Sequence, residues 1–380
     1  MKIETEIIIC GDLCPTEDTV TYFEKQDCDS LFNDLLPVFK KADFVFGNLE
    51  FVLTDSPQPI KKAGPVLYGK TNYIETLKKA GIQAVSLANN HIKDCGELGV
   101  LSTINACKKS EIDFFGAGKN LSEAKEPYIK TVNGYKIGIV AFAEQEFNSA
   151  SSSEFGSSFL DPYVDYDRIE KFKKKVDFLI VLYHGGIEHY ENPSPLLQKK
   201  CRKFIEKGAD LVTCQHSHCI GTLEDFNDGT ILYGQGNTLF GYRKNDDSWN
   251  QGLLIKLIFK EGNAKPEIKM IPIQAIKKGI TCIEDVKGAE VLENLYERSK
   301  KIADPLFIKA SWIEFCQTKK ALYLPYLLGF GRYFIPLNRI LKNKLVSFFY
   351  SKRAMRTNHN LIRCEAHNEV LMTILNNEDK

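Results

Sequence analysis

Short apolar runs recur through the first two thirds of the chain, and each one stops at small or polar residues. Residues 7–10 run into Gly11-Asp12, residues 44–46 into Gly47-Asn48-Leu49-Glu50, and residues 84–88 into Asn89-Asn90-His91. Residues 178–183 run into His184-Gly185-Gly186, and residues 211–214 into Gln215-His216-Ser217-His218. The runs are β-branched, aromatic or Leu-rich and nearly continuous, which predicts strands buried on both faces. Between them, 3.6-residue periodicity predicts helices near residues 30–40, 71–80, 98–108 and 196–207. The alternation is βαβ grammar and predicts an α/β fold.

The pattern changes in three places. Two strand-like segments over residues 128–142 flank Asn133-Gly134, which predicts a tight antiparallel hairpin. The Ser-rich stretch 150–158 reads as a long mobile loop, either over the site or simply exposed. Residues 230–233, 253–259 and 267–273, with turn residues at Asp228-Gly229 and Glu261-Gly262-Asn263, read as successive antiparallel strands. From about residue 283 strand signals give way to helical periodicity, as in 286–302 and 360–375. The expected division is a domain over 1–280 and a helical C-terminal region over 281–380.

The chemistry lies at the strand exits. In an open α/β sheet ligands collect beyond the carboxyl ends of the strands, so residues distant in sequence converge there. Asp12, Glu50, Asn90, His184, His216 and His218 are the candidate metal ligands, and five of the seven histidines fall at or beside these exits. Taken singly, Asp12 reads as a turn or cap residue, Glu50 as a loop carboxylate and Asn90 as a turn residue. His216 and His218 are more specific, because alternate residues of an extended chain face one side.

Composition narrows the classes. With 43% hydrophobic and 26% charged residues the 380-residue chain has the profile of an ordinary globular protein. A net charge of +1 gives no global field for nucleic acid, so recognition of an anionic small molecule or polymer has to be local. Eleven cysteines without a CxxC pair fit reduced thiols, and an N-terminus without an extended apolar core argues for a cytoplasmic protein. Cys14 is read as a buried thiol, with metal ligation as the alternative, and Arg243 and Lys70 as solvated bases, with contact to an anionic substrate as the alternative. Residues 321–331 are too short to cross a bilayer. The stretch 337–353, aromatic and basic, is read either as a helix on its own domain or as a peripheral membrane contact.

The run Ala80-Gly81-Ile82-Gln83-Ala84-Val85-Ser86-Leu87-Ala88-Asn89-Asn90-His91, followed by Asp94-Cys95-Gly96, resembles the bacterial capsule-synthesis family named after the CapA poly-gamma-glutamate biosynthesis protein, within the calcineurin-like metallophosphatase superfamily. Gly11-Asp12, Asn48-Leu49-Glu50, Gly116-Ala117-Gly118, residues 184–188, residues 214–218 and Tyr233-Gly234-Gln235-Gly236-Asn237 match in the same order. The resemblance implies a four-layer α/β/β/α sandwich. It also implies two divalent ions, such as manganese, iron or zinc, held by Asp12, Asn90, His184, His216 and His218 and bridged by Glu50. His91 would be the acid beside the leaving group, with Asp94 orienting it. The implied function is a metal-dependent hydrolase of a phosphoester or a related anionic substrate in cell-surface polymer metabolism. A γ-glutamyl amide hydrolase and a non-catalytic component of a polymer-synthesis complex are the alternatives.

Overall fold

The computed structural model describes residues 4–263, 265–331, 334–342 and 344–378; Met1, Lys2 and Ile3 of the N-terminal reading lie outside them. Two compact units are present, Met1–Lys309 and Ala310–Lys380. The strands of the first unit that matter here are β1 (Glu4–Leu13), β2 (Phe44–Leu49), β3 (Ala84–Ser86), β4 (Asp113–Phe115), β5 (Tyr128–Val132), β6 (Tyr135–Ala143) and β7 (Phe178–His184). They continue with β8 (Leu211–Gln215), β9 (Leu223–Phe226), β10 (Gly229–Leu232), β11 (Asn237–Leu239), β12 (Gln251–Lys260), β13 (Glu267–Ile276) and β14 (Gly279–Cys282).

One sheet runs β14-β13-β12-β1-β2-β3-β4, with β11 paired to β1; the other runs β9-β10-β8-β7-β6-β5. Both are mixed. The central pairs β1/β2, β2/β3, β6/β7 and β7/β8 are parallel, whereas β1/β12, β12/β13 and β5/β6 are antiparallel.

Alternation along each strand sorts side chains into three cores and thereby builds four layers. Ile7 and Ile9 of β1, Phe44 and Phe46 of β2, and Phe178, Ile180 and Leu182 of β7 share one cluster between the sheets. Ile8, Cys10, Val45 and Leu49 face instead a cluster with the helices Tyr73–Ala80 and Gly96–Lys109. Leu179, Val181 and Tyr183 pack against Phe172, Cys201, Phe204 and Ile205 of the helices Asp165–Lys173 and Pro195–Glu206. The result is the α/β/β/α sandwich.

The hairpin forms as its turn residues dictate, with Asn133 at φ 48° and Gly134 at φ 95° joining β5 to β6. Three expectations change. The strand expected over 230–233 is β10, which pairs parallel with β8 in the second sheet, while β12 and β13 belong to the first. An apolar strand of that length carries no mark of the sheet it joins. The helix expected near 30–40 is divided into Cys28–Phe32 and Leu35–Lys41 by Asn33 at φ 41°. The Ser-rich segment is anchored rather than free: Gly156–Ser157 pairs with Ala117–Gly118, and Ser157 and Ser158 are buried.

The first unit continues past the change of pattern at residue 281. Val291 and Leu295 of the helix Asp285–Ser299 close one end of the core between the sheets, and Ile302 and Ile308 join the core beneath the second sheet. The second unit is helical, with Phe334–Ile340, Leu345–Phe349, Lys352–Arg363 and Glu365–Glu378 following the long helix Pro305–Leu327. The periodic stretch 360–375 is therefore two helices, parted at Cys364, which is extended at ψ 119°. Among the described residues no helix is long and apolar enough to cross a membrane.

Candidate metal centre

Asp12, Glu50 and His184 extend the face of their strands that looks toward the other sheet. Phe178, Ile180 and Leu182 point between the sheets, and His184, two residues further, points the same way beyond the apolar layer. On β2 the same parity carries Phe44 and Phe46 to Asn48 and then Glu50.

Asp12 reaches that face only through an irregularity. The β1/β2 register runs Ile9↔Phe46 and then Asp12↔Asn48, so β1 has one extra residue. Because of this bulge, Leu13 joins Ile8 and Cys10 in the helix-side core, and Asp12 turns toward the opposite sheet. Gly11 permits it: a Cβ there would lie 2.3 Å from the carbonyl oxygen of Gly236, which itself has φ 73°. Its N–H donates to Thr238 Oγ1 at 2.7 Å.

The six candidates meet. Asp12 Oδ1 lies 3.8 Å from His184 Nδ1 and Asp12 Oδ2 3.8 Å from His218 Nδ1. Glu50 Oε1 lies 3.5 Å from His184 Nε2 and 3.9 Å from His91 Nε2. Asn90 Oδ1 is 3.0 Å from His184 Nε2, and the His184 and His216 rings are 5.0 Å apart. Two groups of ligand atoms, each within 4.8 Å, emerge: Glu50, His184 and His216, and Asp12, Glu50 and His218. Glu50 belongs to both.

Their electrostatics are those of a buried donor set with unmet charge and hydrogen-bonding capacity. Glu50 is fully buried, and neither of its carboxyl oxygens has a hydrogen-bond partner among the described residues; nor has His216 Nδ1. Desolvation raises the Glu50 pKa to about 8, and desolvation with the nearby Glu50 charge raises Asp12 to about 7. Desolvation also lowers His184 and His216 to about 4 and His218 well below its usual value. Buried carboxylates without partners are costly, and neutral imidazoles beside them are poor compensation. A divalent ion in each group offsets both defects, so the donor set fits two such ions.

His216 and His218 do not lie on an extended strand, as their spacing suggested. β8 ends at Gln215, and both histidines have left-handed backbone, φ 89° and 53°. Residues other than glycine seldom adopt this conformation, and it is found where a site demands it. Here it lets the His216 N–H donate to Asp12 Oδ2 at 3.1 Å.

Further residues hold the candidates; Asn48, Asn89 and Asn237 stood in the quoted motifs without this role, and Asn148 stood in none. The Asn48 amide donates to Asp12 Oδ1 at 2.8 Å and faces His184 Nδ1 at 3.2 Å. Its parity with Glu50 on β2 was the signal available. Asn89 donates to the Leu49 carbonyl at 2.7 Å and accepts from the His91 N–H at 3.1 Å, and Asn148 donates to the Asn89 carbonyl at 3.0 Å. Asn237 Nδ2 donates to the Trp249 carbonyl at 3.0 Å, which leaves its Oδ1 to accept from His218 Nδ1 at 2.8 Å.

His91 sits at the edge of the cluster with its Nδ1 2.6 Å from Asp94 Oδ2. Asp94 also accepts from the Leu67 N–H at 2.7 Å and is paired with Lys62, whose Nζ lies 3.4 Å from His91 Nδ1. The Lys62 side chain is 2% exposed. Nothing in the loop sequence around it distinguishes it from its neighbour Lys61.

Other readings resolve differently. Cys14 packs in the helix-side core with its Sγ toward the Pro15 carbonyl, and it belongs to neither ligand group. The His184 ring has Asn48 and Asn90 at its two nitrogens, and the nearby Glu188 is exposed. Lys70 pairs with Glu24, whereas Arg243 lies over the Trp249 ring, which in turn packs 4.8 Å from the His218 ring.

Residues 6–242 match the family described as bacterial capsule synthesis protein PGA_cap. The chain is 29% identical over 249 residues to the capsule biosynthesis protein CapA of Bacillus anthracis, covering 63% of this chain and 61% of that one. It is 27% identical over 296 residues to the PGA biosynthesis protein CapA of Bacillus subtilis, covering 76% and 77%. Among solved structures, a phosphatase from Mycoplasma pneumoniae is similar with a TM-score of 0.47 at 13% identity, over 76% of this chain and 98% of that one. With the match spanning every candidate ligand from Asp12 to His218, the chain belongs to the bacterial capsule synthesis protein family PGA_cap.

Proposed function

We propose that this chain is a metal-dependent hydrolase that cleaves a phosphoester, or a related anionic bond in a cell-surface polymer or its precursor. The observation that carries the reading is Glu50, a fully buried carboxylate without a hydrogen-bond partner among the described residues, shared by two ligand groups. Asp12 and His218 would complete one ion site with Glu50, and His184, His216 and Asn90 the other. Two divalent ions would leave the site net positive, bind an anionic substrate and lower the pKa of a water molecule held there.

The protein's own groups do the rest. His91 presents Nε2 toward the cluster while Asp94 accepts from Nδ1, the arrangement needed to deliver a proton to a departing oxygen. Lys62 neutralises Asp94, so the pair orients the imidazole without adding net charge. Arg243, stacked on Trp249 beside His218, is placed to meet an anion approaching from the rim. The names of the Bacillus relatives support capsule or polyglutamate metabolism as the setting.

The test combines metal analysis of the purified chain with assays on p-nitrophenyl phosphoesters and γ-glutamyl amides, for wild type and His91→Ala. Hydrolysis of phosphoesters that needs metal and falls with His91→Ala supports the reading. Turnover confined to the γ-glutamyl amides replaces the substrate class. A metal-loaded protein inert toward both would assign the site a binding role.

A further inference from the structure

Between Glu314 and Glu365 the chain has no Asp or Glu and ten Lys or Arg. The rest of the chain holds the remaining 40 basic residues against all 49 acidic ones, so the near-zero net charge conceals a strong segregation. Among the described residues no ion pair involves Arg339, Lys342, Lys352, Arg353, Arg356 or Arg363.

The same segment displays large apolar side chains. Phe348 is 82% exposed, Ile340 77% and Phe349 60%, and Leu337 and Leu341 are exposed as well. They are held in place, not left on a loose tail. Buried Asn338 donates to the Ala321 carbonyl at 3.2 Å and accepts from the Leu345 N–H at 3.3 Å. The Phe330 ring packs on Phe334, Phe349 and Tyr350, and Tyr350 donates to the Leu328 carbonyl at 3.0 Å. Next along the chain, helix Lys352–Arg363 buries none of its residues. At helical spacing its Lys352, Arg353, Arg356 and Arg363 fall within an arc of about 100°, with Met355, Leu361 and Ile362 on the other side.

We propose that residues 334–363 bind the surface of an anionic phospholipid bilayer. Ile340, Phe348 and Phe349 enter the boundary between headgroups and acyl chains, and the surrounding Lys and Arg pair with lipid phosphates. The two observations select this occupant together. A soluble polyanion would satisfy the cations and leave Phe348 and Ile340 in water. A second copy of the segment would cover the apolar residues by setting seven cations against seven. An anionic lipid surface satisfies both.

Flotation of the full chain with vesicles of phosphatidylcholine, with and without phosphatidylglycerol, tests this. Binding is expected only to the anionic vesicles and is weakened by salt. Phe348→Ser with Phe349→Ser lowers partitioning about tenfold or more. Arg353→Gln with Arg356→Gln lowers it by about fivefold per charge, on the order of 25-fold together. All four positions are exposed, so unchanged thermal melting is expected and confirms that the variants fold. The proposal fails if the protein does not float with anionic vesicles, or floats equally with neutral ones. It fails equally if soluble polyglutamate binds this segment and the phenylalanine variant binds it as tightly. Concentration-dependent self-association abolished by the phenylalanine variant, without vesicle binding, also overturns it.

Discussion

Glu50→Gln should have opposite effects on the metal-free and the metal-loaded protein. In the metal-free fold the Glu50 carboxyl is held at about 8 instead of 4.5, so its ionised form is disfavoured in the folded state. The linkage sign is the reverse of a salt-bridged carboxylate. The folded state binds the proton more tightly than the unfolded one, so stability is lost as pH rises from about 4.5 to about 8. At pH 8 the cost has a ceiling on the order of 4 kcal/mol, at about 1.4 kcal/mol per pH unit. Glutamine removes it, and also relieves Asp12, whose own pKa is raised in part by the Glu50 charge. Against this, the new amide is buried in a place where neither carboxyl oxygen found a partner, which costs about 1–3 kcal/mol. The net gain at pH 8 is about 1–3 kcal/mol, a rise in melting temperature of roughly 2–5 °C for a unit of this size. Near pH 5, where the folded carboxyl keeps its proton, the relief shrinks to about 1 kcal/mol while the cost of the amide remains, so Glu50→Gln should melt level with wild type or slightly below it.

With a divalent ion the order reverses. Wild type gains about 2.7 kcal/mol at a hundredfold excess of ion over its dissociation constant, whereas Glu50→Gln, lacking the shared ligand, gains little. Melting curves from pH 5 to pH 8, in chelator and in manganese or zinc, measure all four states. If Glu50→Gln melts below wild type in chelator at pH 8, or if metal raises both proteins equally, the account of Glu50 is refuted.

The surrounding groups make separable predictions. His91→Asn should lower turnover by about 10²- to 10⁴-fold while leaving bound metal unchanged, read by single-turnover assay beside elemental analysis. Asn48→Ala removes the donor that orients Asp12 and His184, and should weaken metal affinity by roughly 10- to 100-fold in a competition titration without unfolding the sandwich. Lys62→Met leaves buried Asp94 without its cation and should destabilise the chain by about 3 kcal/mol in chemical denaturation. Asp94→Asn added to Lys62→Met should recover part of that loss; no recovery would mean the ion pair is not what Lys62 contributes.

The residues that needed the structure were those whose role depends on partners distant along the chain. Lys62 sits in a loop with no pattern of its own, and only the approach of Asp94, 32 residues later, makes it a buried cation beside His91. Asn48 was visible as part of Asn48-Leu49-Glu50 but not as the residue that joins Asp12 to His184. The strand over 229–232 was legible as a strand, yet its sheet was not, since β10 pairs with β8 across a gap that periodicity does not record.

By itself the sequence determined what local burial dictates. The nearly continuous apolar runs of β1, β2 and β7 marked the strands and the polar exits carrying Asp12, Glu50 and His184, because each depends on neighbours a few residues away. Tertiary structure alone decided how those exits combine. The bulge that turns Asp12 inward exists only in the register of β1 against β2, and the left-handed turn at His216 is held by a hydrogen bond to Asp12 from the other sheet. Burial periodicity is written residue by residue, whereas the meeting of two sheets at one carboxylate is a property of their pairing and has no local trace.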